Sequence, residues 1–312
     1  MRKVRGRSIR VRPMAGAPRM EHGDVPIDPY RGALYTPAEL YDVQPYAGSL
    51  DARAYAWSLE PPTPQATLAQ ALHDHAVDEA LTEWITGRHL VGVMGGHALD
   101  RSSAAYADAA RLGWMLGQRH VVATGGGPGA MEAANLGCFL AGSSRDRLAS
   151  AVATLAGVPS FKPSVDQWAA KALTVVDGVS GRESLGIPTW FYGDEPPNVF
   201  ATAIAKYFRN ATREAILLQV CDAGIVFLPG AGGTVQEIFQ DACENYYAAP
   251  GSVAPMVLVG RTYWTETLPA WPLLHSLARG RAMEGQVHLV DTVDEAAGLV
   301  QERRVPRSTG ES

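Results

Sequence analysis

One segment of this 312-residue chain, residues 224–245, constrains the fold more than any other. It reads GIVFLPGAGGTVQEIFQDACEN: a short apolar run, a turn of proline and glycines, and an amphipathic pattern that restarts at Thr234. This order predicts a strand, a glycine turn and a helix. Because glycine lacks Cβ, the turn lets a ligand approach the backbone, and the free N–H groups of the first helical turn favour an anion such as phosphate.

Two earlier segments repeat the order of strand, glycine turn and helix. Apolar runs at 90–94 and 121–124 predict two further strands, each followed by glycines and then by a helical pattern. The glycines of interest after these strands are Gly95, Gly96, Gly126 and Gly127. Because parallel strands end at one edge of their sheet, the three turns are expected to line one crevice. We therefore predict an α/β fold, a Rossmann-like doubly wound parallel sheet with helices on both faces.

The rest of the chain divides into an arm, a main domain with an insertion, and a tail. Residues 1–64 are rich in proline, glycine, arginine and tyrosine, which predicts an arm that is partly disordered or lies over the core. Residues 65–305 form the predicted main domain, interrupted by a helical insertion at 145–183. A single long helix is expected over 198–220, and residues 306–312 form a tail.

Composition and charge exclude several classes of protein. A net charge of -5 gives no general reason to expect nucleic acid as a partner. The three cysteines show no paired spacing, which indicates a reducing compartment without disulfides. No apolar stretch approaches the roughly 18 residues needed to cross a bilayer, so no membrane partner is expected. The basic start lacks an apolar signal core; an organellar transit segment is the alternative to the cytoplasmic location that we predict.

No cofactor fingerprint accompanies the glycine turns. None of them matches the dinucleotide pattern with its acidic residue about 20 positions later, and no P-loop GK[ST] occurs. His73 and His75 form an HxH pair without further ligands nearby, so neither a metal nor a bound cofactor is predicted. The crevice is therefore expected to hold a mononucleotide.

Two motifs carry a resemblance to a known family. GGGPGAMEAAN at 125–135 and PGAGGTVQE at 229–237 resemble the signature motifs of the LOG family, phosphoribohydrolases that cleave nucleoside 5′-monophosphates into base and ribose 5-phosphate. The second motif of that family is usually PGGxGTxxE, and this chain has Ala231 in place of the second glycine. The stretch EPPN at 195–198 is similar to larger bacterial nucleotide 5′-monophosphate nucleosidases of the same superfamily.

The resemblance implies a catalytic pair, a substrate and an assembly. Glu237 matches the glutamate that closes the motif, and Arg213 is the best counterpart of the family's arginine, with Arg209 one turn earlier as the reserve candidate. The implied substrate is a nucleoside 5′-monophosphate, and the implied assembly is a homodimer or larger homo-oligomer. Proximity to a helix N-terminus predicts an ionised Glu237, which would stabilise positive charge on the ribose. The predicted substrate- and phosphate-binding residues are Gly95, Gly96, Gly126, Gly127, Met131, Gly230, Gly232, Gly233 and Thr234.

Four local interpretations stay open at this point. Thr234 and Glu237 also fit a capping box that would only stabilise the helix. The aromatic run at 190–192 fits either a buried strand or a stacking surface for the base. Glu132 is predicted to be solvated, and His97, beside the first glycine turn, is a further candidate for ligand contact.

The second functional hypothesis is a non-catalytic nucleotide-binding or molybdenum-cofactor carrier protein, because such carriers resemble the same fold and motifs. Retention of the arginine–glutamate pair favours the hydrolase. A decarboxylase that uses pyridoxal phosphate is least favoured, because no lysine is predicted on a cofactor loop. Lys162, Lys171 and Lys206 fall in the insertion or on the predicted long helix.

Overall fold

Seven parallel strands form the central sheet of the structure, a computed structural model that describes residues 25–193 and 195–302. The strands are β1 (Leu90–Met94), β2 (Val121–Thr124), β3 (Ser184–Gly186), β4 (Ala203–Ile204), β5 (Gly224–Phe227), β6 (Met256–Val259) and β7 (Val287–Val290). Their order is β4-β3-β2-β1-β5-β6-β7, and every neighbouring pair is parallel. The predicted Rossmann-like, doubly wound fold is confirmed. The basic N-terminal run and the predicted tail lie outside the described residues.

Helices cover both faces of the sheet. They are α1 (Pro37–Leu40), α2 (Leu50–Ser58), α3 (Pro64–Trp84), α4 (Ala104–Leu116), α5 (Ala130–Phe139), α6 (Arg145–Leu155), α7 (Val165–Val176), α8 (Asn210–Gln219), α9 (Gly232–Tyr247), α10 (Ala270–Ala278) and α11 (Val293–Glu302). One core contains α4, α5, α6 and α11, and the other contains α3, α8, α9 and α10. Because both faces are covered, strands such as β1 are apolar and buried throughout. None of the helices in the described part of the chain is long and apolar enough to span a membrane.

The order of the strands places a topological switch point between β1 and β5. The chain proceeds from β1 outward to β4 and then returns to the opposite side of β1, where Met94 pairs with Phe227. In open sheets of this kind, ligands bind beyond the carboxyl ends of the strands at the switch point. The turns that follow β1 and β5 therefore flank the expected ligand crevice.

The long helix predicted over 198–220 is wrong. Strand β4 lies within that range, and helix α8 begins only at Asn210. The side chain of Asn198 explains the interruption, since its Oδ1 accepts hydrogen bonds from the backbone N–H groups of Phe200 and Ala201, both at 3.1 Å. A side chain that satisfies nearby backbone groups in this way competes with helix formation. The apolar pattern from Gly186 to Tyr192 also predicts a strand, whereas the observed strand β3 ends at Gly186.

Part of the predicted arm, residues 25–58, packs against the β4 edge of the sheet. Tyr35 and Ile204 exchange two backbone hydrogen bonds of 2.9 and 2.8 Å in an antiparallel bridge, so this edge is not open to another chain. Asp51 on α2 is buried and accepts a hydrogen bond from the ammonium of Lys206 at 2.5 Å. Separation of the two would leave a buried charge without a partner, which is costly. The arm is therefore held both by backbone pairing and by charge.

Helices α4 and α5 cross with their backbones in direct contact. A Cβ on Gly113 would lie 2.0 Å from the carbonyl oxygen of Ala134, and a Cβ on Gly137 would lie 1.9 Å from that of Ala110. Neither contact is sterically possible, so glycine is required at both positions. This close approach fixes α5, whose first residue follows the β2 glycine turn.

Substitution of Gly137 by alanine tests this packing. We expect Gly137→Ala to lower the free energy of unfolding by about 3 kcal/mol or to prevent folding, because the helices must move apart. The matched control is Gly298→Ala on α11, where an added Cβ meets nothing within 4 Å. Removing a helical glycine there should raise stability by up to about 1 kcal/mol. Equal urea midpoints for the two variants would contradict the close crossing.

Candidate functional site

The three glycine turns meet at Gly96. Its N–H donates a hydrogen bond to the carbonyl of Pro229 at 3.2 Å, and its own carbonyl accepts one from Ala130 N–H at 3.1 Å. Gly129, in the β2 turn, has a φ of +71°, and a Cβ there would lie 2.5 Å from the Gly96 oxygen. The turns after β1, β2 and β5 thus form one continuous surface at the switch point, as the sequence predicts.

The first turn of α9 is open to a ligand. Gly232 and Gly233 are exposed, and a Cβ on either would meet nothing within 4 Å. A Cβ on Gly230 would instead lie 2.2 Å from the hydroxyl oxygen of Thr234, so glycine lets that hydroxyl approach the turn. Ala231, the departure from the family motif, has a φ of -103°, which any residue adopts. Open N–H groups at the start of a long helix suit an anion.

The capping-box interpretation of Thr234 and Glu237 is wrong. Helix α9 begins at Gly232, its N-cap residue is Ala231, and no side chain caps it. Thr234 is therefore inside the helix rather than at its cap. The buried position of Glu237 needs another explanation, and its neighbours on α8 provide one.

Arg213 on α8 and Glu237 on α9 come together beside the β2 turn. Both are at least nine-tenths buried, and Nη1 of Arg213 lies 4.0 Å from Oε1 of Glu237. The same Nη1 lies 3.6 Å from the position that a Cβ on Gly125 would take. Nη2 of Arg213 pairs with Glu214 at 2.9 Å. Arg209, the reserve candidate, is exposed at the N-cap of α8, so the register of the helix favours Arg213.

Glu237 differs from the predicted ionised carboxylate. Burial, and then the negative charge of Glu214, raise its pKa to about 8, while Arg213 opposes them. The expectation of an ionised group rested on the helix dipole, which contributes only about 0.3 to 1 kcal/mol and fades beyond the first turn. Glu237 is the sixth residue of α9, so burial outweighs the dipole. The surroundings of Glu237 therefore favour its acid form more than solvent does.

The polar groups around Arg213 are incompletely satisfied by the protein. Arg213 Nε and Glu214 Oε2 are buried and have no hydrogen-bond partner within the described residues. Buried polar atoms are nearly always paired, so each exception needs an explanation, of which a catalytic or binding role is one. The Arg213 fork therefore has donor capacity left for a bound ribose or phosphate.

The β2 turn forms a wall of the crevice rather than an open cradle. Residues 125–130 are buried, and Gly126 has a φ of +74° and packs against the backbone of Gly186 and Ile187. Met131 covers the turn, because its Sδ would lie 2.7 Å from a Cβ on Gly125. Of the predicted binding residues in this turn, Gly126 has a packing position, whereas Met131 borders the site.

Sequence reasoning assigned no role to Glu195, which the structure places at the crevice. Oε1 of Glu195 lies 3.2 Å from Nδ1 of His97, and Oε2 lies 3.3 Å from where a Cβ on Gly127 would be. Its negative charge also contributes to the raised pKa of Glu237. The signal in the sequence is the EPPN stretch at 195–198, whose first residue is Glu195.

The burial of individual side chains decides two other local predictions, one for Glu132 and one for the aromatic run at 190–192. Glu132, predicted to be solvated, is fully buried and pairs through both oxygens with Arg101. That prediction is wrong because the partner lies 31 residues away and cannot be read from the local pattern. The residues of the aromatic run have different environments: Trp190 is in the core, whereas Phe191 is 66% exposed.

A cavity of about 130 Å³ lies next to the Arg101–Glu132 pair and is bordered by His97.

Comparison with known proteins gives likenesses of fold only. No protein-family model matches the sequence, and no curated protein matches it. Among solved structures, the chain is similar to the molybdenum cofactor binding protein from Rippkaea orientalis, with 17% identity over 69% of this chain and 96% of that one and a TM-score of 0.42. It is also similar to the molybdenum cofactor carrier protein from Chlamydomonas reinhardtii, with 17% identity over 69% and 97% of the chains and a TM-score of 0.42. Likeness at this level identifies neither an activity nor a ligand.

Proposed function

We propose that this protein hydrolyses the N-glycosidic bond of a nucleoside 5′-monophosphate to free base and ribose 5-phosphate. The observation that carries the proposal is the convergence of Arg213 and Glu237 next to the open first turn of α9. The second motif that resembles the LOG family contains the turn and Glu237, and Arg213 precedes that motif on α8. The site thus combines an open helix N-terminus with a buried acid and a buried guanidinium.

The 5′-phosphate is expected to bind at the first turn of α9. The backbone N–H groups of Gly232 and Gly233 are open there, and the Thr234 hydroxyl lies against the same turn. Glu237 follows three residues after Thr234, on the same side of the helix, and both are buried. A phosphate held at the turn would place the ribose toward Glu237. Binding energy from this non-reacting group can then position the bond to be cleaved.

Cleavage builds positive charge on the anomeric carbon, which an ionised Glu237 would stabilise. In a site with little water, one carboxylate interacts with such a charge more strongly than it would in solvent. The same carboxylate can accept a proton from the attacking water. Arg213 would hold the ribose or phosphate through its unused donors.

A binding protein without turnover is the second candidate. The 2.9 Å pair between Arg213 and Glu214 favours it, because this pair draws the guanidinium toward a group other than Glu237. Under this hypothesis the crevice binds a nucleotide-like phosphate compound and leaves it intact. Assays of turnover and of binding on the same samples separate the two functions.

The hydrolase is tested with a panel of nucleoside 5′-monophosphates and chromatographic detection of free base. We expect release of base by the wild type and much weaker release from nucleosides that lack the phosphate. Glu237→Gln should lower kcat by about 10²–10³-fold, because the amide cannot supply the negative charge. Arg209→Ala, an exposed arginine on the same helix, is the matched control and should keep full activity. Equal nucleotide binding by wild type and Glu237→Gln without any base release would support the carrier function instead.

The pH dependence of the reaction should report the protonation state of the Glu237 carboxyl. Its neighbours are Arg213 and Glu214 on α8 and Glu195 before β4, and the pKa is raised to about 8. As the pH rises through that value the carboxyl loses its proton, so kcat/KM should increase and level off above it for a substrate whose leaving group departs without a proton. The rising limb should disappear in Glu237→Gln. A profile that falls through pH 8 for such a substrate would show that the acid form of Glu237 is required.

Removal of metal ions should leave the activity unchanged. Within residues 25–193 and 195–302, no group of three or more histidine, cysteine, aspartate or glutamate side chains is placed to hold a metal ion. Wild-type kcat measured before and after dialysis against a chelator is the test. A loss that one added divalent metal reverses would contradict the proposed metal-independent chemistry.

A further inference from the structure

A histidine–carboxylate pair spans the mouth of the crevice. His97 follows directly after the Gly95–Gly96 turn, and its Nδ1 lies 3.2 Å from Oε1 of Glu195. The two residues are 98 positions apart and come from opposite sides of the β2 turn. The His97 side chain is 56% exposed, so it is accessible to a bound molecule.

Release of a nucleobase requires a proton donor that the proposed catalytic pair does not provide. When the C1′–N bond breaks, its electron pair goes to the base nitrogen, and the base leaves readily only if it gains a proton. Arg213 cannot donate one, because a guanidinium stays protonated in proteins. Glu237 acts as the anion in the proposed reaction and accepts a proton from water. A second acid is therefore required.

We propose that His97 is the general acid that protonates the departing base, and that Glu195 is a positioning residue that holds the imidazole ring. This inference rests on the proposed hydrolysis of nucleoside 5′-monophosphates. The donor in this proposal is the protonated imidazole ring: Glu195 lies 3.2 Å from Nδ1, and the proton on Nε2 is the one available to the base. The arrangement follows the general pattern in which a carboxylate fixes the orientation of a catalytic histidine.

The position of Glu195 is itself fixed by the crevice. Its second oxygen, Oε2, occupies space that a Cβ on Gly127 would approach to 3.3 Å. Its backbone N–H donates to the carbonyl of Tyr192 at 3.0 Å. Three residues later, the backbone N–H of Asn198 donates to the Gly126 carbonyl at 2.8 Å and its side chain donates to the Gly127 carbonyl at 3.1 Å. The segment that carries Glu195 is thus tied to the β2 turn.

Every proton in the proposed hydrolysis is accounted for. His97 gives the proton on Nε2 to the base, the C1′–N electron pair goes to the base, and a water oxygen bonds to C1′. One proton of that water passes to the Glu237 carboxylate. Transfer of this proton through solvent back to His97 restores the enzyme, so one water is consumed for each nucleotide cleaved.

The chain contains a matched control for His97. His89, immediately before β1, also pairs through Nδ1 with a carboxylate, Asp222, at 2.8 Å and is similarly exposed. It lies at the opposite end of the strand from the glycine turns. A second exposed histidine–carboxylate pair is thus present at the end of the strand away from the crevice.

The test compares substrates that differ in their need for a proton. Guanosine 5′-monophosphate needs an acid, whereas 7-methylguanosine 5′-monophosphate and p-nitrophenyl ribofuranoside 5-phosphate release groups that leave without one. We expect His97→Ala to lose about 100-fold or more in kcat on the first and less than about threefold on the other two. Glu195→Gln should show the same substrate dependence with a smaller loss. His89→Ala should match the wild type on all three.

Each other outcome contradicts the assignment. An equal loss by His97→Ala on all three substrates would show a structural or binding role, and an unchanged kcat would show no role. Wild type that cleaves guanosine 5′-monophosphate but neither activated substrate would also overturn it, because a leaving group that needs no proton faces a lower barrier. Wild type that cleaves no substrate at all would instead overturn the proposed function.

Discussion

The two backbone hydrogen bonds of Gly96 determine how the candidate site is assembled. Its N–H binds the β5 turn through Pro229, and its carbonyl binds the first residue of α5, Ala130. A Cβ on Gly129 cannot fit against the Gly96 carbonyl, and one on Gly95 would lie 2.9 Å from the Cβ of Ala130. Small residues in all three turns are therefore required for the turns to touch. Because they touch, α8, α9 and the segment after β3 can present side chains to one small volume.

That volume holds more negative than positive charge. Glu214 and Glu237 lie beside one guanidinium, Arg213, and burial together with the charges of Glu214 and Glu195 raises the pKa of Glu237. Protonation of Glu237 relieves the repulsion while no substrate is bound. Positive charge that develops on a ribose would reverse this preference, since it attracts the carboxylates that the protein has already placed. The groups then need little rearrangement during the reaction, which is the condition for strong electrostatic stabilisation of a transition state.

The sequence predicts those parts of the structure that depend on local pattern, and misses those that depend on distant partners. Apolar runs that end in glycines identified the strands β1, β2 and β5, and the helix after β5 followed from its own periodicity. The helix expected over 198–220 failed because the Asn198 side chain bonds nearby backbone and the β2 turn instead. Glu132 and Glu237 were misjudged for one reason: their burial arises from tertiary packing. The His97–Glu195 pair joins residues too far apart for any spacing rule.

The irregular segment between β3 and α8 shows how a break in local preference can serve a site. A helix there would have satisfied its own backbone, whereas the observed chain relies on distant groups. Asp51, on the N-terminal arm, accepts hydrogen bonds from Trp190 at 2.8 Å and from Lys206 at 2.5 Å, on either side of Glu195. Asn198 bonds the β2 turn between them. These contacts compensate for the missing helix and hold Glu195 at the crevice, so the arm that covers the sheet edge also supports the candidate site.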